Sequence, residues 1–245
     1  MSVRVILGVV LVTVLAACGG TARTTTGRTT TVKRAAVERC AHLPRQANVS
    51  VGAVVSRPLA AFRAPGRRVL AHFGLLNVNG AETVFSVLGV TCDGAWLHVE
   101  LPLRPNGAVG WVRADHVEQF SVRTRIVVDL SERTVRFFRN GKLTLRSTAA
   151  IGAAATPTPL GRYYVNQRLI PSDPSGPFGP GAIGISAFSD VLTGWAQGGP
   201  VAIHGTNEPW SIGRAVSNGC IRVRNEVLRR LFKVTPAGTP VLIRR

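Results

Sequence analysis

From about residue 40 onward the chain is built of short apolar or alternating runs, each closed by a turn signal. Ala53-Val-Val55, Arg68-Val-Leu70, residues 83–90, residues 96–101 and Gly110-Trp-Val112 are such runs. Ala64-Pro-Gly66, residues 77–80, Asp93-Gly94 and Pro105-Asn-Gly107 separate them. Strands alternate their side chains between two faces and are bounded by Gly, Pro, Asn and Asp, so this spacing reads as strands and turns. About five short strands in so little chain predict a small β-barrel over residues 40–120.

The second half repeats the pattern with different punctuation. Residues 126–130 and 135–138 predict strands around Ser131-Glu-Arg133, and Asn140-Gly141 turns the chain into a third over 142–147. Tyr163-Tyr-Val165, Val201-Ala-Ile203 and residues 240–243 predict more. Residues 169–184 are too dense in Gly and Pro for a regular element, and such a segment inside a compact unit reads as a lid or binding loop. Residues 225–232 predict one helix, with Val227, Leu228 and Leu231 on its apolar face and Arg229 and Arg230 suiting the negative end of its dipole. The expected fold is mainly β, with a second β-rich unit at 123–245 and one or two short helices.

The N-terminus reads differently. Residues 1–17 hold one Arg and an apolar run over 5–15, shorter than the roughly 20 residues of a membrane span, and end in small residues. That reads as a secretory signal, with an uncleaved anchor as the alternative. Residues 18–39, rich in Thr and Arg, bury too little to offset ordering and predict a flexible tether. The formal charge is +18, with arginine supplying nearly all the cations. An exported chain of this sign suits anionic head groups and wall polyanions, or else carries solvated Arg over its whole surface. No recognition motif accompanies the charge, so nucleic acid is not an expected partner.

Candidate chemistry narrows quickly. Beyond Phe120 the only histidine is His204 and the only cysteine Cys220, each beside a glycine. A thiol paired with an imidazole base is a nucleophile, and Arg222 and Arg224 downstream predict a positive potential that lowers the thiol pKa. Gly219 permits a tight turn whose amides could face an oxyanion. By spacing alone a buried structural Cys and a satisfied structural His are the commoner reading. Two soft ligands are too few for zinc, so no metal or organic cofactor is expected.

The stretch Pro200-Val-Ala-Ile-His204-Gly, followed by Ser217-Asn-Gly-Cys220-Ile-Arg222, resembles the active-site signature of the L,D-transpeptidases, the YkuD-type cysteine enzymes of the bacterial cell wall. Residues 126–131 and 135–141, Ile151-Gly152, Thr156-Pro-Thr-Pro-Leu-Gly161 and Gly184-Ile-Ser-Ala187 resemble the family's other segments in order, over residues 123–245. Many members carry a second His where this chain has Asn218.

The resemblance implies a catalytic Cys220, the base His204 and an imidazole oriented by the Gly205 carbonyl. It also implies oxyanion or substrate contacts at Ser217, Asn218, Gly219 and Arg222, with Ser217 holding the turn. Arg222 would meet a carboxylate of a peptidoglycan stem peptide, and carbapenem-type β-lactams would acylate the thiol. Either cross-linking or L,D-carboxypeptidase hydrolysis would follow. An inactive wall-binding protein and a thiol peptidase acting on L-peptides are the readings from other classes. Leu15-Ala-Ala-Cys18 resembles a lipobox, with Cys18 diacylated and the protein lipid-anchored at the outer face of the membrane or in the wall. Trp96-Leu-His-Val99 and Gly110-Trp-Val-Arg113 resemble a bacterial SH3-type domain, a wall-binding module or a spacer. Cys40 and Cys92, left over after the lipidated and catalytic cysteines, are expected to form a disulfide, or else to be two buried thiols.

Overall fold

The computed structural model describes residues 39–40, by their backbone, and residues 48–245. The expected signal peptide, the expected lipidation site at Cys18 and nearly all of the expected tether lie outside the described residues.

The first sheet contains β1 (Arg39–Cys40), β2 (Ser50–Val55), β3 (Leu59–Ala64), β4 (Arg67–Phe73), β5 (Val84–Thr91), β6 (Trp96–Glu100), β7 (Val109–Arg113) and β8 (Val117–Val122). Its order is β4-β3-β7-β6-β5-β2-β8, with β1 beside β5. Alternate residues such as Ala53, Val55, Phe85, Val87, Leu97 and Val99 form its core. The alternation in the sequence misses β3 and β8. β3 is half alanine, which blurs the apolar contrast, and β8 buries only its two end valines. The strand path is open, with β4 and β8 at its ends, and the likeness to an SH3-type barrel stays a proposal.

The second half contains β9 (Thr124–Asp129), β10 (Thr134–Arg139), β11 (Lys142–Thr148), β12 (Ile151–Gly152), β13 (Gly161–Leu169), β14 (Ala182–Phe188), β15 (Pro200–His204), β16 (Ala215–Ser217), β17 (Ile221–Arg222), the helix α1 (Asn225–Val234) and β18 (Pro240–Arg244). The main sheet runs β11-β10-β9-β18-β13-β14-β15-β17, and β12 pairs with β16 beside it. The fold is thus mainly β with one α-helix among the described residues. The expected irregular segment is shorter than its Gly and Pro content suggests, because β13 runs to Leu169 and β14 begins at Ala182.

One face of this sheet carries the core. Val165, Ile183, Ile185, Val201, Ile203 and Ile221 pack there with Leu228 and Leu231 of α1. Strand residues between them point the other way. On that opposite face Tyr164, Ser186 and Gln167 meet the first sheet. Tyr164 Oη donates to the Val84 carbonyl at 3.0 Å, and Ser186 Oγ donates to Glu100 Oε1 at 2.6 Å. Asn77 and Asn79 each donate to Gln167 Oε1 at 3.0 Å. Arg104 Nη2 reaches the carbonyls of Ser189 at 2.5 Å and Gly198 at 2.6 Å, tying both ends of the β14–β15 loop to the first sheet. Arg123 alone separates β8 from β9, and the two sheets fall in one compact unit.

Candidate active site

Strands β15 and β17 run parallel, with Ile203 opposite Ile221 and His204 opposite Arg222. Ile203 and Ile221 belong to the core, so Ala202, His204, Cys220 and Arg222 share the opposite face. Cys220, just ahead of β17, is partly buried, and the Ala202 amide hydrogen-bonds to its sulfur. His204 is 4% exposed. Its Nδ1 lies 2.5 Å from the Gly205 carbonyl oxygen. A carbonyl only accepts, so Nδ1 carries the proton and Nε2 is the free base. The Phe178 ring meets the imidazole edge-on at 5.0 Å between centroids.

Electrostatics set the resting state. Burial pushes the His204 pKa down to about 4, Arg222 adds to that, and the Gly205 carbonyl opposes it. Burial pushes the Cys220 thiol up, against smaller downward pulls from the Ala202 amide and Arg222. The expected acidification of the thiol by Arg222 and Arg224 is therefore corrected. Arg224 is exposed and Arg222 is held by Glu208, so desolvation outweighs the positive charge. Thiol and imidazole are both neutral near pH 7.

The turn before Cys220 is braced from two sides. Ser217, 1% exposed, donates from Oγ to the Cys220 carbonyl at 2.6 Å and accepts the Gly219 amide at 3.2 Å. Gly219 has φ +104°, a conformation few L residues adopt. Its amide is turned onto Ser217, which removes it as a free oxyanion donor in this state. Asn218 is exposed. The Thr-Pro segment lies alongside. Thr156 Oγ1 donates to the Ser217 carbonyl at 2.9 Å, and Thr158 Oγ1 accepts the Gly152 amide at 2.9 Å.

Four further residues shape the site without a sequence signal of that role: Ala202, Phe178, Glu208 and Asn225. Glu208 holds Arg222 Nη1, while the buried Arg222 Nε has no partner among the described residues. Asn225, the first residue of α1, accepts the Thr206 amide at Oδ1, 2.8 Å away. Gly205 lies so close to the irregular segment that a Cβ there would sit 2.8 Å from Pro180 Cδ and 3.2 Å from the Phe178 carbonyl oxygen. An Asn opening a predicted helix is a readable boundary signal. Its grip on Thr206 is not, because 19 positions separate the two. Cys92 is disulfide-bonded; the side chain of its expected partner, Cys40, lies outside the described residues.

A family model described as the L,D-transpeptidase catalytic domain, YkuD, matches residues 123–243. The protein named L,D-transpeptidase YkuD in Bacillus licheniformis is 37% identical over 119 residues, covering 49% of this chain and 64% of its own length. Its counterpart in Bacillus subtilis is 33% identical over 128 residues, covering 52% of this chain and 70% of its own length. The solved catalytic domain of the E. faecium L,D-transpeptidase is 26% identical over 49% of this chain and 95% of that one, with a TM-score of 0.36. The sequence relatives, rather than that loose superposition, carry the assignment: this chain belongs to the YkuD family of L,D-transpeptidases.

Proposed function

We propose that the protein is a cell-wall L,D-transpeptidase that acylates Cys220 with a peptidoglycan stem peptide. The observation that carries the reading is the pairing of β15 with β17, which puts Cys220 next to Ala202 on the face that also carries His204, two residues on, whose Nδ1 proton is directed to Gly205. A neutral pair of this kind reacts by concerted transfer. As Sγ attacks the carbonyl carbon before the terminal D-amino acid, its proton passes to His204 Nε2. The Cys220 amide is the backbone donor assigned to the oxyanion, since the Gly219 amide is taken by Ser217. The C–N bond then breaks, and His204 returns the proton to the leaving amine, so a thioester and a free D-amino acid result. An amine of a neighbouring stem attacks the thioester, gives a proton to His204, and the thiolate leaves and is reprotonated.

Arg222 meets the stem carboxylate after exchanging Glu208 for it, a like-for-like replacement of one carboxylate by another. The signal-like residues 1–17 and the lipobox-like Cys18 support an exported enzyme held by a lipid anchor. Carbapenem-type β-lactams acylate the same thiol.

The test is intact-mass analysis with a tetrapeptide stem donor and, separately, a carbapenem, with Cys220→Ala alongside. An acyl adduct and release of the D-amino acid, both lost in the mutant, support the reading. Adding an amine acceptor then separates cross-linking from hydrolysis. A Cys220 that reacts with a small alkylating agent but forms no adduct with either donor overturns it.

A further inference from the structure

Among the described residues β4 pairs with β3 alone and stands at the end of its sheet. Arg67, Arg68, Val69 and Leu70 are exposed in succession, so both faces of this strand are open as well as its edge. Five of the fifteen large apolar side chains exposed among the described residues fall between Val69 and Val78. Leu75 and Leu76 are 47% and 59% exposed, and Val78 is 85% exposed. Single exposed apolar side chains are ordinary, whereas a cluster of them on one edge marks a contact site.

Charge is segregated onto the same edge. Residues 39–81 contain no Asp or Glu, whereas Arg57, Arg63, Arg67 and Arg68 all fall there. None of these four makes an ion pair among the described residues, where the paired arginines are Arg113, Arg136, Arg146, Arg222 and Arg244. The hairpin register places them. Ala64 lies opposite Arg67 and Phe62 opposite Val69, so Arg63, Arg67 and Arg68 crowd the β3–β4 turn. Leu59 lies opposite Phe73, which sets Arg57, two residues before Leu59, near the far end of β4 where Leu75 and Leu76 follow. Six rises of about 3.3 Å separate the two ends, roughly 20 Å. Unpaired arginines therefore stand at both ends of a strip that carries exposed apolar side chains between and beside them.

This pairing of charge and apolar surface selects the occupant. A second copy of the chain would set the same unpaired arginines against one another. A soluble polyanion would neutralise the arginines but leave Val69, Leu76 and Val78 in water. An anionic bilayer answers both, since its phosphates receive the guanidinium groups while the apolar side chains enter the acyl boundary beneath them. The free peptide groups along the β4 edge limit the depth, because they need water or head groups as partners and cannot pass into hydrocarbon. We infer that β4 and residues 74–78 seat the protein on an anionic lipid surface, through head-group contacts at the arginines and shallow insertion of Leu76 and Val78. The contact needs neither an acyl chain on Cys18 nor the thiol chemistry. Beside the proposed lipid anchor, it fixes which edge of the first sheet faces the membrane.

Residues 37–245 form one compact unit, so a fragment from Val37 onward carries this surface without the apolar N-terminal run or Cys18. Its sedimentation with vesicles of phosphatidylglycerol and phosphatidylcholine is compared with its sedimentation with phosphatidylcholine alone. The fragment is expected to bind the mixed vesicles at least tenfold more tightly than the neutral ones. Arg63→Gln with Arg67→Gln, and separately Leu76→Ser with Val78→Ser, are each expected to weaken that binding by about tenfold or more. Arg229→Gln with Arg230→Gln removes the same charge from exposed positions on α1 and is expected to change it by less than about threefold. Equal losses for the two arginine pairs would assign the binding to diffuse charge, and undiminished binding by the serine variant would assign it to charge without insertion. Either result overturns the inference, as does a fragment that does not bind the mixed vesicles.

Discussion

The Arg222 guanidinium is held by the carboxylate of Glu208, 14 residues upstream on the segment that joins the His204 strand to the Cys220 turn. That pairing draws off the positive charge that would otherwise favour the Cys220 thiolate. Replacing Glu208 by Gln removes the counter-charge and leaves Arg222 facing the site. The alkylation profile of Cys220 is expected to move to lower pH, read as iodoacetamide rate against pH. A profile unmoved by Glu208→Gln would mean that Arg222 does not act on the thiol.

In the unmodified protein the same measurement reads the resting state. His204 is neutral above about pH 4, and burial holds the thiol above its ordinary range. No thiolate–imidazolium pair forms near neutrality. The alkylation rate is expected to climb by about tenfold per pH unit from pH 5 to beyond the ordinary thiol pKa of about 8.5, without an early plateau. A plateau below pH 7 would show a preformed ion pair.

Asn225 acts at one remove from the chemistry. Its Oδ1 takes the Thr206 amide, and Gly205, between Thr206 and His204, supplies the carbonyl that orients the imidazole. Asn225→Ala leaves that buried amide without a partner, at a cost of about 1–3 kcal/mol. Acylation by the tetrapeptide donor is expected to slow by about tenfold or more with little change in KM. Asn225→Asp keeps an oxygen in place and should recover most of the rate. Equal losses in the two variants would point to packing instead.

Glu100 links stability to pH across the sheet interface. Burial raises its pKa to about 7, against a lowering by the Ser186 hydroxyl. Between its ordinary value of 4.5 and about 7, the unfolded chain has released this proton while the native protein keeps it. Stability therefore falls as pH rises through that window, by on the order of 3 kcal/mol. Thermal melts should show Tm falling from pH 5 to pH 7, and Glu100→Gln should flatten the slope. A slope unchanged in the variant would place the linkage elsewhere.

Much of the architecture was readable where burial and periodicity agree. β5 alternates Phe85 and Val87 inward, and α1 sets Leu228 and Leu231 on one face, so both stand near their predicted places. β3 and β8 escaped because one is alanine-rich and the other polar in its middle. Ala182-Ile-Gly-Ile185 is strand despite its glycine, because Gln167 lies across Gly184 and fills the space of the missing side chain. His204 and Cys220 stood out in the sequence by their rarity beyond Phe120, but their catalytic reading came from the resemblance to the L,D-transpeptidase signature and not from spacing. Glu208 was not legible. Its partner is set by the return of the chain through β16 and β17, and local sequence holds no trace of that ion pair. The thiol pKa was misjudged for the same reason, since charge can be counted along a chain while desolvation depends on the fold.

The single residue Arg123 between the two sheets bears on how this chain could be recombined. The catalytic half offers Tyr164, Ser186 and Gln167 as a socket with fixed polar demands, met by the Val84 carbonyl, Glu100 and the Asn77–Asn79 amides. A different N-terminal module grafted at Arg123 inherits no slack for repositioning and must answer the same three groups from its own surface. Modularity at this junction is limited to partners that fit the socket.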